Sequence, residues 1–158
     1  MNSEKKQYFT RRITQANSTE MVVILYDMTL EYISDAKNAL ENSNPVEDFY
    51  KAISGIQGCF SELNASLNYE YEPAIGLRML YRYCIGRVGV SQAKMDAGIL
   101  GDVEKVIRPL RDAYDKISDQ NTSGPVMENS QTVYAGYTYG RTDVNENYVG
   151  LGNRGFLA

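Results

Sequence analysis

Residues 44–67 read NPVEDFYKAISGIQGCFSELNASL. Phe49, Ile53, Ile56, Phe60, Leu63 and Leu67 recur at steps of four, three, four, three and four. Apolar side chains so spaced return to one side of an α-helix, as the seam positions of packed helices do. Pro45 suits the first helical turn, where its missing N–H would have no intrahelical partner anyway, and Asn44 and Glu47 flank it as a cap pair. The stretch therefore predicts a helix that buries one stripe against its neighbours. Gly55 and Gly58 weaken it by about 1 kcal/mol each relative to alanine. Three residues apart beside the seam, they permit close approach of another backbone, either internal or from a partner.

Working outward, the same period recurs three more times. Asn17-Ser18-Thr19-Glu20 is a capping box, and Met21, Leu25, Met28, Tyr32, Ile33, Ala36 and Leu40 follow it at helical spacing to about residue 42. Tyr69 to Glu72 is a connector. Pro73 then opens a helix with the stripe Leu77, Leu80, Tyr81, Cys84, Val88 and Met95, which Gly98 and Gly101 end. Asp102 caps a last helix with Val103, Val106, Leu110, Ala113 and Ile117 inward, stopping near Asp119. Pro109 deletes an amide there and crowds the Lys105 carbonyl, which predicts a kink or restart. Four amphipathic helices joined by short loops imply an all-α fold, an antiparallel up-and-down four-helix bundle over residues 17–120. Residues 1–16 read as an extended, loosely docked arm, with Lys5, Lys6, Arg11 and Arg12 against Glu4. Residues 121–158 lose the helical period and form an irregular tail rich in tyrosine and glycine.

Composition removes whole classes of chemistry. The 158 residues contain no histidine, so Ser-His and Cys-His pairs and the Glu-x-x-His di-iron pattern are absent. No glycine-rich phosphate loop follows a strand, and no cofactor or metal set is expected. A net charge of −4 disfavours nucleic acid, which usually meets a basic face. No apolar run is long enough for a membrane-spanning helix, and the polar start MNSEKKQYFTRR lacks the apolar core of a secretory signal, so the expected compartment is the cytosol. Cys59 and Cys84 fall within predicted helices and read as small buried hydrophobes.

Residues 8–118 resemble the FliS flagellar export chaperones. The family pattern of a tyrosine, then A-S-P-E-x-L, three hydrophobic residues and L-Y-D-G is similar to Tyr8 followed by Ala16-Asn17-Ser18-Thr19-Glu20-Met21-Val22-Val23-Ile24-Leu25-Tyr26-Asp27-Met28. Ser18 stands at the family proline and Met28 at its glycine. Glu62-Leu63-Asn64-Ala65-Ser66-Leu67 resembles E-L-x-A-T-L; Leu80-Tyr81-Arg82-Tyr83, with Arg87 following, resembles L-Y-x-Y and its arginine; Leu110-Arg111-Asp112-Ala113-Tyr114 resembles L-R-x-A-W. The resemblance implies a non-catalytic holder of flagellin's C-terminal segment, disordered when free and helical when bound. It implies that premature polymerisation is prevented and that the cargo is handed to the flagellar export gate. The second reading is a non-catalytic helical adaptor or regulator of an export apparatus, with a different export component or a globular protein as its partner.

An amphipathic guest needs apolar surface outside the core. Ala52, Cys59, Ala65, Ile75, Met79 and Ile85 lie off the predicted seams and are the candidate contacts, with Asn64 on the face adjacent to Leu63 and Leu67. Tyr26 reads either as a half-buried filler or as a groove wall, and Asp27 as an arginine-paired or solvated carboxylate ahead of a contact. Tyr81 and Arg87 suit a rim, and the resemblance favours docking of Tyr8 near the cargo groove. In the tail, Tyr134, Tyr137, Tyr139, Tyr148, Leu151 and Phe156 are candidates to lie across the bundle, in which case truncation after Gln120 tightens cargo binding.

Overall fold

In the computed structural model, residues 1–39 and 42–127 are described. They contain five α-helices: α1 (Ser3–Gln15), α2 (Ser18–Asn38), α3 (Pro45–Ala65), α4 (Pro73–Lys94) and α5 (Leu100–Ser118). A 3₁₀ turn, Ala97–Ile99, precedes α5. Among the described residues there is no strand. The central α2 packs on both α3 and α5, α4 packs on α3 and α5, and α1 lies on α2.

The seam of α3 is the floor of the core. Phe49, Ile53, Ile56, Phe60 and Leu63 are all buried, joined by Ile33 and Ala36 of α2, Cys84 and Val88 of α4, and Leu100, Val103 and Ile107 of α5. Fully burying such side chains stabilises by about 1.5–3 kcal/mol each, so this layer holds the helices together. The capping box forms as read: Asn17 Oδ1 accepts from the Thr19 and Glu20 amides at 3.0 and 2.9 Å, and Glu20 Oε2 accepts from the Asn17 amide at 2.8 Å.

Several expectations are corrected. Residues 3–15 are a helix and not an extended arm. Asn2 caps it by accepting from the Lys5 amide at 2.9 Å, and Phe9 is buried with Ile24 of α2 while Ile13 packs beside them. Two apolar residues are too few to display a period, so tertiary contact decides the conformation. Asn44 makes no side-chain cap bond. The end of α4 is set by Met95 in the left-handed region (φ 50°), not by Gly98, and Asp96 Oδ1 caps the turn by accepting from the Gly98 amide at 2.8 Å. The last helix starts before Asp102, and it runs unbroken through Pro109 between core-packed Val106 and Leu110. Leu80, Ala113 and Ile117, read as inward, are exposed. Leu40 and the tail aromatics Tyr134, Tyr137, Tyr139, Tyr148, Leu151 and Phe156 lie outside the described residues.

Residues 121–127 lace the α1–α2 elbow. Asn121 Nδ2 donates to Thr19 Oγ1 at 2.8 Å, the Asn121 carbonyl accepts from Asn17 Nδ2 at 3.2 Å, and the Val126 amide donates to the Ala16 carbonyl at 3.0 Å.

Candidate functional site

The triplet Leu25-Tyr26-Asp27 ties the structure together from inside. Tyr26 is 0% exposed, and its hydroxyl shares a hydrogen bond with that of Tyr81, itself 1% exposed. The Tyr26 ring also meets Tyr114 edge-on at 5.8 Å, and Phe60 lies 5.9 Å from Tyr81. Burial pushes the Tyr81 phenol up to about 12 and raises that of Tyr26 further. Both hydroxyls are neutral at physiological pH, and the single bond between them gives each buried oxygen a partner.

One residue on, Asp27 faces the other way along α2. Its carboxylate accepts from Arg12 Nη1 of α1 at 2.6 Å and from Arg111 Nε of α5 at 2.9 Å. Hydrogen bonding to Asp27 raises the Arg111 guanidinium above its ordinary range. Three sequence blocks thus meet at adjacent residues of α2: Tyr26 holds Tyr81 and Tyr114, and Asp27 holds Arg111. Spacing within α2 gave no sign of the partners of Asp27, which come from distant helices.

The candidate contacts divide into two sets. Tyr26, Tyr81, Ala52 and Cys59 are buried. Ala52 and Cys59 lie off the α3 seam, as read, but that second side of α3 packs on α2 beside Tyr32 and Thr29. Burial pushes the free thiols of Cys59 and Cys84 up to about 11, so they stay protonated. Asn64 is half-buried, and its Nδ2 is spent on the Phe60 carbonyl at 3.0 Å. Tyr8 is largely exposed beneath the Arg12 guanidinium, at the rim of a recess it shares with Asp27, Leu30 and Glu31 of α2, while its neighbour Phe9 is buried. Ala65, Ile75, Met79 and Ile85 are open to solvent.

Those open residues belong to a larger surface. Ile75, Met79, Tyr83, Gly86 and Val90 run down the outer side of α4 at steps of four, four, three and four, all exposed. Ile75 is 61% and Met79 70% accessible, so this is a second apolar seam that no other element among the described residues covers. An added Cβ at Gly86 or Gly89 would meet no atom within 4 Å, so a partner can approach the backbone closely there. On α3, which Gln57 bonds to Gln92 of α4 at 3.0 Å, Ser54, Gly58, Ser61 and Ala65 form an exposed row of small residues. Where α3 ends and α4 begins, a recess of about 300 Å³ is walled by Val22, Leu67, Leu77, Tyr81 and Tyr114. The helical period of Tyr83, Gly86 and Val90 was the available signal for this seam; it was masked because α4 is apolar on two sides. Among the described residues no three histidine, cysteine, aspartate or glutamate side chains converge as a metal ion would need.

The four blocks of sequence that build this interior span most of the described chain. A family model described as "Flagellar protein FliS" matches residues 1–121. The chain belongs to the FliS family. It is 29% identical over 107 residues to the flagellar secretion chaperone FliS of Bacillus subtilis (strain 168), an alignment covering 68% of this chain and 80% of that relative. Across the described part of this FliS-family chain, no helix is long and apolar enough to cross a membrane.

Proposed function

We propose that the chain is a cytosolic, non-catalytic chaperone that binds the C-terminal segment of flagellin, keeps it from polymerising early and delivers it for flagellar export. In this reading α2 to α5 form an antiparallel up-and-down bundle over residues 17–120, and no cofactor takes part. Membership of the FliS family supports flagellin as the cargo class. The unpartnered apolar seam on α4 carries the reading. A monomer that leaves Ile75, Met79, Tyr83, Ile85 and Val90 in water forgoes about 1.5–3 kcal/mol for each large aliphatic or aromatic side chain it could have buried. Contiguous surface of that kind marks an interaction site. A guest that folds into a helix upon it must also offset about 2–5 kcal/mol of ordering, so extended apolar contact is required of the chaperone and is what the seam offers.

Titration calorimetry with the C-terminal segment of the host's flagellin tests this. Binding with a large negative heat-capacity change is expected. Met79→Glu should weaken it at least tenfold while leaving the melting temperature nearly unchanged, because Met79 is mostly solvated already. Absence of any interaction between the wild-type chain and that segment overturns the reading.

A further inference from the structure

The outer side of α4 carries charge of one sign only. Arg78, Arg82, Arg87 and Lys94 lie within Pro73–Lys94, and no aspartate or glutamate does, although the whole chain has a net charge of −4. Arg87 is taken up by Asp102 of α5 at 2.7 Å. Arg78 and Arg82 are exposed and meet no carboxylate among the described residues; Arg78 lies instead over the Tyr69 ring at 5.6 Å. The other long helices balance themselves: Lys37 and Arg108 pair with Glu104, Lys51 with Glu47, and Arg111 with Asp27 and Asp115. Arg78 and Arg82, four residues apart, lie along one edge of the apolar seam, Arg82 three residues after Met79 and four before Gly86.

We propose that α4 selects its guest by charge: the occupant of this seam is an amphipathic helix whose apolar stripe is flanked by carboxylates that pair with Arg78 and Arg82. The inference rests on the chaperone reading above and names the chemistry of the segment that reading requires. Guanidinium groups beside an apolar stripe reward a carboxylate-flanked partner twice. They give bidentate hydrogen bonds in place of water, and they steer encounter through a field of matching sign. The same charges disfavour pairing of two α4 faces from two copies of the chain, since each face brings arginines and no carboxylate to meet them.

Three proteins and two peptides test this by calorimetry: the wild-type chain, Met79→Glu, and the double variant Arg78→Glu/Arg82→Glu, each against the host's flagellin C-terminal segment and a form with its carboxylates changed to amides. All substituted positions are exposed, and circular-dichroism melts confirm folding of each variant. The double variant should bind the native segment about tenfold more weakly, the amide segment should bind the wild-type chain more weakly by a similar factor, and the two losses should not add. Wild-type affinity should fall as salt rises from 50 to 500 mM, on the order of several-fold. Loss of binding in Met79→Glu with none in the double variant overturns the charge selection and leaves the chaperone reading intact. Full binding by Met79→Glu places the guest elsewhere and overturns this inference alone. No binding by the wild-type chain overturns the chaperone reading itself, and the inference with it. A wild-type dimer in sedimentation that the double variant alters assigns the seam to a second copy and likewise overturns it.

Discussion

Two glycines in one helix allow the α2–α3 contact to be tested by a pair of substitutions with opposite expected signs. Replacing a mid-helix glycine by alanine gains about 1 kcal/mol of intrinsic helix preference. At Gly58 an added Cβ meets nothing within 4 Å, so Gly58→Ala should stabilise the protein by about 0.5–1 kcal/mol. At Gly55 the Cβ would stand 2.5 Å from Tyr32 Cε1 and 2.6 Å from Cδ1 and Cζ. Tyr32 is half-buried against the core, and burial raises its phenol above the ordinary range, so the ring must be pushed out of a packed place. Overpacking of that kind costs about 1–3 kcal/mol. Set against the helical gain, Gly55→Ala should lie between neutral and about 2 kcal/mol destabilised. The two variants should thus differ by about 1–3 kcal/mol in denaturant unfolding followed by circular dichroism, with equal m-values. Equal stabilisation in both variants refutes the argument, because it would mean that Tyr32 yields freely and that Gly55 is not what lets α2 and α3 approach.

Three further outcomes follow from the interior. Tyr81→Phe should cost about 1–3 kcal/mol by leaving the Tyr26 hydroxyl buried and alone, whereas Tyr26→Phe/Tyr81→Phe together should cost less than the sum of the singles; additive losses in a double-mutant cycle argue against the bond. Asp27→Ala removes the carboxylate shared by Arg12 and Arg111, so α1 amides should exchange with deuterium faster than in the wild type while those of α3 hold; unchanged α1 protection contradicts the role assigned to Asp27. Cys59 and Cys84 are raised from 9.0 to about 11 and Tyr81 from 10.0 to about 12 on folding. Above pH 9 the unfolded chain therefore binds fewer protons than the folded one, and stability should hold below pH 9 and decline from there toward pH 12. Thermal melts that stay level through pH 11 would count against burial of these groups.

Much of the architecture was legible because single helices advertise their buried side. The α3 seam, the Asn17 capping box and Pro45 and Pro73 at helix starts all sit where local rules put them. The places where local rules failed share one cause, contact with a distant element. Phe9 makes α1 a helix only by finding Ile24. Val106 and Leu110, packed against the core on either side of Pro109, accompany a helix that continues through the proline where local rules allow a restart. Ala52 and Cys59 read as surface because one stripe seemed enough for α3, yet α3 is packed on two sides. Of the candidate surface, Ile75, Met79 and Ile85 were visible because they fell outside the core stripe of α4. Leu80 is exposed although it follows the inward spacing, and the outer period of Tyr83 and Val90 is hidden in the sequence, because two apolar periods overlap on that helix and neither stands out alone.

The bonds from Asn121 and Val126 to the α1–α2 elbow bear on how the C-terminal region can be dissected. A stop codon placed after Gln120 would delete more than an appendage: it would also strip the Thr19 hydroxyl and the Asn17 amide of their partner and cut the tether at Ala16. A shortened protein made that way confounds loss of the tail with an unfastened hinge. Ending the chain after Met127 keeps the knot tied and isolates what residues 128–158 contribute.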